Sequence, residues 1–339
     1  MHYEKLILID PSSPVYGMDK LFLDDFLNRD DCLLPIRNLY ADAKNAGIGM
    51  HTADMFLEGK VSGNKIDYYS LGILDNFKKL SGFNKVTLQA FFILEPPVVQ
   101  NILYKNIDAL SRYFNCIYVH NTQSIGYKAL SAEKLKKLFW MMPHHHVIEK
   151  YWNNTQRQKR VVIINTNLRP KTRFKTELYS VRIAAMAQLA KDNMIDLYGR
   201  GWNRWHSRSA LWLPYWKNFS SIKKIYHGAC DSKFEVLSRY DFCLCFENMI
   251  MPGYMTEKMF DCFYAGTIPI YLGAPDVLDY IPKEAFIDAR QFASWREITT
   301  FIKSLSDEKI RQMKMAGKDF VHGEKFDPFY YSLKNTVII

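Results

Sequence analysis

The sequence predicts an α/β protein of two doubly wound domains facing one another across a cleft. Three observations carry that expectation. Short apolar runs alternate with stretches of helical period, the order that builds parallel sheets with helical crossovers. The chain has 339 residues, enough for two cores. A polar stretch without period, KYWNNTQRQKR at 150–160, separates one such series from a second.

The first series opens with KLILID (5–10), a buried strand ending in Asp10. KVTLQAFFILEPP (85–97) is a second strand, stopped by Pro96 and Pro97 because proline has no N–H to give a ladder. Helical period follows over NILYKNIDALSRYF (101–114), then the strand CIYVHN (116–121). Residues 1–150 are therefore expected as one domain and 151–160 as a linker. RVVIINTN (160–167) opens the second series, TELYSVRIAAMAQLAK (176–191) is an amphipathic helix, and MIDLYGRG (194–201) is a strand and turn. SIKKIYHG comes next, and FEVLSRYDFCLCFEN (234–248) is a helix end running into a strand. VLDYIP, AFIDARQF and a late helix over 296–317 complete a domain of 161–325, with 326–339 expected to pack back on the first domain.

Hydrophobic residues are 48% and aromatic residues 15%, a globular composition without repeats or low-complexity tracts. The net charge of +10 suits an anionic ligand, nucleic acid or an anionic membrane surface. No run of five or six Lys/Arg occurs, which argues against a nucleic-acid-binding tail. The start, MHYEKLILIDPSSPVYG, lacks the pattern of a signal peptide, and no apolar run approaches the ~18 residues of a membrane span. Of six cysteines, Cys243 and Cys245 alternate along a strand and share a face. Without a C-x-x-C pair, buried free thiols in a reducing compartment are expected.

Chemistry concentrates in CFENMIMPGYMTEKMFDCFYAGTIPIYLGAP (245–275). A core element needs apolar residues at a period, not Glu247, Asn248, Glu257 and Lys258 around one turn. FCLCFEN is a strand whose polar end lies at its carboxyl edge, where ligands sit in open α/β sheets. Thr256 begins a helix and Gly266 ends it. A helix N-terminus attracts anions. Glu257 complements that dipole, whereas Lys258 opposes it. A cation held there suggests that a diphosphate joins it, although a capped helix with a solvated lysine satisfies the same spacing.

FEN…YMTEKMFDCFYAGTIPIYLGAPDVLDYIP…AFID, from Phe246 to Phe292, resembles the donor-binding motif of the α-1,3/1,4-fucosyltransferases, glycosyltransferase family 10. Met255 stands where the family has Val, and the gap MIMPG is less polar than usual. INTNLRPKTRFKTELY (164–179) and DLYGRG (196–201) are similar to further family segments, and residues 201–230 do not align clearly. In the first 150 residues only FFILEPP matches, at a strand ending in Glu.

The resemblance implies a Rossmann-like, GT-B type fold and inverting transfer of L-fucose from GDP-β-L-fucose to a GlcNAc- or Glc-containing glycan, most readily in α-1,3 linkage. It implies donor contacts from Tyr254, Glu257, Lys258 and Asn248, with Lys258 on the diphosphate. For the family's phosphate-binding arginine it leaves Arg200, Arg204 and Lys223 in competition, Arg200 preferred, and Arg173 as a lesser contact. Glu95 falls at the position of the catalytic base, although the residues alone equally allow a solvent-facing loop glutamate. A diphosphate leaving group needs its charge neutralised more than it needs a proton, so one carboxylate suffices, where a glycosidase needs two.

No metal and no required cofactor are expected: no D-x-D occurs, and His144-His145-His146 are adjacent residues that rarely chelate one ion, although a divalent cation can assist. GRGWNR (199–204) lacks the third glycine of a dinucleotide fingerprint. The expected partners are GDP-fucose and an oligosaccharide or glycolipid acceptor, not nucleic acid. The expected location is the cytoplasm, with peripheral attachment to the inner face of a membrane. The alternatives are the same fold with another GDP-deoxyhexose donor, or a basic non-enzymatic protein binding nucleic acid or membrane.

Overall fold

The computed structural model describes residues 1–337. Two compact units emerge: Met1–Pro143 together with the described residues from Pro328 onward, and His144–Asp327.

The first unit holds a six-stranded sheet in the order β2-β1-β3-β4-β5-β6, every neighbouring pair parallel. The strands are β1 (His2–Asp10), β2 (Gly49–Thr52), β3 (Ser62–Ser70), β4 (Val86–Phe92), β5 (Cys116–Val119) and β6 (Leu135–Lys137). β1 shows why its sequence is apolar without interruption. Leu6 and Leu8 enter one core cluster and Ile7 and Ile9 another, so both faces of the sheet are covered. Leu333 and Val337 join the second cluster, and Ser332 donates its hydroxyl to the Phe139 carbonyl at 2.6 Å.

The second unit holds a five-stranded parallel sheet ordered β11-β10-β9-β7-β8. Its strands are β7 (Gln158–Ile164), β8 (Ile195–Tyr198), β9 (Tyr240–Phe246), β10 (Ile268–Leu272) and β11 (Ile287–Asp288). β9 is buried along its whole length, as a central strand covered on both faces must be. In both units the first strand lies between the second and the third. Crossovers leave such a strand in opposite directions, and ligands bind at the crevice this opens beyond the carboxyl ends.

Three expectations need correction, and three strands went unread. Residues 151–160 are not a free linker: the segment belongs to the second unit, a short helix covers Glu149–Trp152, and β7 starts at Gln158. Arg157 explains the order, because its guanidinium donates to the carbonyls of Asn154, Tyr151, Trp152, Tyr240 and Ala265. The helix expected over 101–114 starts earlier, at Pro97, and breaks at Asn106 into Pro97–Lys105 and Ile107–Leu110. The late helix is also two, Trp295–Ser304 and Asp307–His322, because Ser306 caps the second by accepting from Lys309 N–H. β2, β3 and β6 escaped the sequence reading; β3, SGNKIDYYS, opens on polar residues that mask its buried second half.

Gly199, in the turn after β8, has φ +132°, and a Cβ there would fall 1.9 Å from the Asn165 carbonyl oxygen. That oxygen already accepts from the indole N–H of buried Trp202 at 2.6 Å. Gly199→Ala should therefore destabilise the second unit by about 3 kcal/mol or more. Gly47→Ala, at φ +72° with open space around it, should cost the first unit only about 1–2 kcal/mol. Urea unfolding of both variants checks this, and equal losses would show that Asn165 can move aside.

Candidate functional site

The site grows from the end of β9. Phe246 is the last residue of the strand, and Glu247 beyond it is completely buried. A buried carboxylate must be matched by donors. Its oxygens accept from Thr256 N–H at 2.8 Å, from the Thr256 hydroxyl at 2.9 Å and from Lys258 Nζ at 3.1 Å. Lys258 also donates to Thr256 Oγ1 at 2.7 Å. Thr256, the N-cap of the helix Glu257–Ala265, thus turns its hydroxyl toward this network and not toward the helix's own N–H groups. Arg182, buried in the helix Tyr179–Lys191, donates to the carbonyls of Phe246 and Glu247 at 2.6 and 2.8 Å. Gly273 makes room: a Cβ there would meet Glu247 Cγ at 2.6 Å.

Beside this network lies a cavity of about 210 Å³. Asn165 and Thr166, just past β7, form one side, and Cys243, Cys245 and Phe246 of β9 form another. The cavity therefore sits at the point where the crossovers of the second sheet diverge. Arg182, Lys233, Glu257, Lys258 and Asp261 also line it. Lys233 pairs with Asp261, and Lys258 with Glu247. Burial raises the Glu257 carboxyl, but the Lys258 and Lys233 cations and hydrogen bonds outweigh it and hold it below its ordinary value. Three cations thus face three carboxylates, so an incoming anion needs positive charge from the surrounding loops as well. The volume is below the ~300–1,000 Å³ of ordinary ligand pockets, so it takes part of a ligand and leaves the rest to those loops.

Residues 154–315 match the profile described as Glycosyltransferase family 10 (fucosyltransferase) C-term. The carboxyl-terminal domain belongs to glycosyltransferase family 10. An α-(1,4)-fucosyltransferase of Arabidopsis thaliana is 38% identical over 74 residues, 22% of this chain and 18% of that protein. The α-(1,3)-fucosyltransferase FucT of Helicobacter pylori is 42% identical over 85 residues, 25% of this chain and 18% of that protein. These matches thus span less than a fifth of the relatives' length. A crystal structure of an α1,3-fucosyltransferase superposes on 95% of this chain and 82% of its own with a TM-score of 0.52. At 15% identity this likeness speaks for the fold, which is of the GT-B class of paired doubly wound α/β domains.

Within this family 10 domain the predicted residues separate. Lys258 and Glu257 line the cavity. Asn248 is half-buried, accepts from Leu178 N–H at 3.1 Å and reaches the Tyr254 hydroxyl at 3.3 Å. Tyr254 corrects the expectation of a donor contact: it is completely buried, and its carbonyl accepts from the Tyr271 hydroxyl at 3.3 Å, so its ring backs the network and presents no surface to a ligand. Arg200 is exposed on the turn after β8 and Arg173 on the loop after β7; neither lines the cavity. The Arg200 carbonyl accepts from Asn167 N–H at 2.9 Å, which ties its turn to the loop that borders the cavity. Lys223 lies over the Phe219 ring. The sequence reading missed Glu247 as the organising group, and Arg182, Lys233 and Asp261 altogether. A lone Arg inside the apolar face of 176–191 was the available signal for Arg182.

Glu95 stands in the first unit, half-buried past the end of β4. The carbonyl of the preceding Leu94 accepts from His120 Nε2–H at 2.9 Å, which fixes the proton on Nε2. Burial pulls His120 down to about 4, so the ring is neutral at pH 7. Asp10 ends β1, where the crossovers of the first sheet diverge. Burial pushes its carboxyl up to about 6, against the Tyr68 hydroxyl at 2.7 Å and the Asn76 amide. The triple histidine is structural: His145 pairs with Asp327 at 2.6 Å, and His144 packs edge-on against Tyr264.

Glu247→Ala should cost about 3–5 kcal/mol, because it strands the Thr256 donors and the Lys258 ammonium beside a void. Glu247→Gln keeps an acceptor for Thr256 and should cost clearly less. Thermal unfolding distinguishes them, and equal losses would show that the side chain acts by volume alone.

Asp10 and His120 make opposite contributions to the pH dependence of stability. With its carboxyl raised, native Asp10 holds a proton that the unfolded chain releases between about pH 4 and 6, so stability falls as pH rises. With its imidazole lowered, His120 makes the unfolded chain the proton binder between about pH 4 and 6.5, so stability rises with pH. Each amounts to roughly 3 kcal/mol. Asp10→Asn should therefore steepen the gain in first-unit stability from pH 4 to 6.5, read by urea unfolding. A profile parallel to wild type would mean that Asp10 ionises as it does in the unfolded chain.

Proposed function

We propose that this protein transfers L-fucose from GDP-β-L-fucose, with inversion, to a hydroxyl of a GlcNAc- or Glc-containing glycan, in α-1,3 linkage. One observation carries the reading: the cavity at the divergence point of the second sheet is lined by Phe246, Glu257 and Lys258 of the family motif, with Lys258 paired to buried Glu247 behind it. In this reading Lys258 meets a phosphate oxygen as a compact charge. Arg200 and Arg173, exposed on the neighbouring loops, supply the positive charge that the internally balanced cavity lacks. Glu257, held ionised by Lys258 and Lys233, accepts from sugar hydroxyls.

The chemical step then asks for one base and one stabilised leaving group. Glu95 takes the proton of the acceptor hydroxyl as that oxygen attacks the anomeric carbon, and the bond to the diphosphate breaks on the opposite side. GDP leaves as an anion that side-chain cations stabilise. We place the reaction in the cytoplasm at the face of an anionic membrane, to which a chain of net charge +10 is attracted. Among the described residues no helix is long and apolar enough to cross a membrane.

The test is thermal stability with GDP, GDP-fucose, GDP-mannose and UDP-glucose. A ligand at a hundredfold excess over its Kd should stabilise the fold by about 2.7 kcal/mol. Protection by GDP and GDP-fucose is expected, lost or weakened roughly tenfold to a hundredfold in affinity by Lys258→Ala. Glu95→Ala should keep that protection and lower turnover by about 10²–10⁴. Preference for a different GDP-sugar would move the donor assignment, and indifference to every guanine nucleotide would end the reading.

A further inference from the structure

Three thiols in the second unit have no part in the proposed transfer. Cys243 and Cys245 project from the same face of β9, and Cys262 faces them from the helix Glu257–Ala265. All three are buried, and none forms a disulfide. Their sulfurs lie within 4.8 Å of one another, and those of Cys245 and Cys262 are 3.3 Å apart. We propose that Cys243, Cys245 and Cys262 form a three-sulfur site for a thiophilic monovalent cation, Cu(I).

The geometry suits an ion at the centre of the triangle. Metal–thiolate bonds of about 2.3 Å in a planar trigonal array place the sulfurs about 4 Å apart. The observed spacing needs only small side-chain rotations on two elements that are already packed. The donor set selects the ion. Sulfur ligands favour soft cations over magnesium, calcium or manganese. Zinc in a structural site takes four ligands, and among the described residues no fourth His, Cys, Asp or Glu joins this group. The nearby carboxylates are engaged, Asp261 by Lys233 and Glu247 by Thr256 and Lys258.

Access also fits. Cys243 and Cys245 line the 210 Å³ cavity, which gives an ion a route to the sulfurs. Binding releases three protons: three thiols and one Cu(I) become a tris-thiolate complex of charge −2. Lys233, Lys258 and Arg182 line the same cavity, but carboxylates already balance them, so the sulfur–copper bonds and not the surrounding charge hold the ion. The site does not depend on which nucleotide the cavity takes, and its test uses none.

The reduced protein is titrated with Cu(I) buffered by bicinchoninate, and X-ray absorption is measured on the loaded wild type. One Cu(I) per chain is expected, with a shell of three sulfurs at about 2.3 Å. Cys245→Ala and Cys262→Ala should abolish one-to-one binding, whereas Cys32→Ser and Cys230→Ser should retain it. No uptake by wild type, uptake unchanged in Cys245→Ala and Cys262→Ala, or a shell containing nitrogen or oxygen would each overturn the proposal. The absorption measurement on wild type stands even if a buried alanine variant fails to fold.

Discussion

The buried carboxylate of Glu247 is the constraint on which the carboxyl-terminal domain is organised. An ionised group without solvent survives only where donors converge on it. Here they come from the Thr256 backbone, the Thr256 hydroxyl and the Lys258 ammonium. Because those donors sit at the start of one helix, satisfying the carboxylate also fixes where that helix begins and where its lysine points. Arg182 holds the strand end by its carbonyls, and Gly273 leaves the space. A lysine in the first turn, unfavourable against the dipole by itself, is thereby given a local partner. The same pairing pre-positions the cation, so ordering its long side chain is not left to the moment of binding.

Both sheets use one topological rule for different ends. In the second, the divergence of crossovers between β7 and β9 opens a cavity whose charges cancel. In the first, the equivalent place is occupied by Asp10, a carboxyl that titrates near 6 and is held by Tyr68 and Asn76. Glu95 lies two strands from β1 in the sheet order, where His120 fixes the backbone just before it. A neutral, buried imidazole is a rigid tether that keeps its donor role unchanged across the neutral range.

Much of this could be read in the residues. Uninterrupted apolar runs such as KLILID and FCLCF announce strands covered on both faces, and their order announces parallel sheets. The FEN–TEK stretch stood out because it put charge where a core should be. What stayed hidden has physical causes. β3 begins with polar residues, and its apolar half carries tyrosines and an aspartate. Residues 151–160 look like linker because polar composition cannot reveal that one Arg157 fork gathers five carbonyls. Tyr254 sits inside the motif and would pass for a ligand contact, but burial is a property of packing and not of spacing. Arg200 and Arg173 remain loop residues whose place at a ligand depends on the ligand. The alternation of Cys243 and Cys245 was legible along the strand; Cys262 joins them only through the packing of helix on sheet.

The amino-terminal domain is discontinuous in the chain. Leu333 and Val337 complete a core begun by Ile7 and Ile9, while the intervening family 10 domain is one unbroken segment. During synthesis the later domain can close its core first. The earlier one must wait, with part of its apolar surface uncovered, until residues beyond Pro328 have emerged. The domain whose strands are translated first is therefore the one whose core is completed last. Loss of the segment that carries Leu333 and Val337 would uncover apolar surface in the domain whose strands come first in the chain.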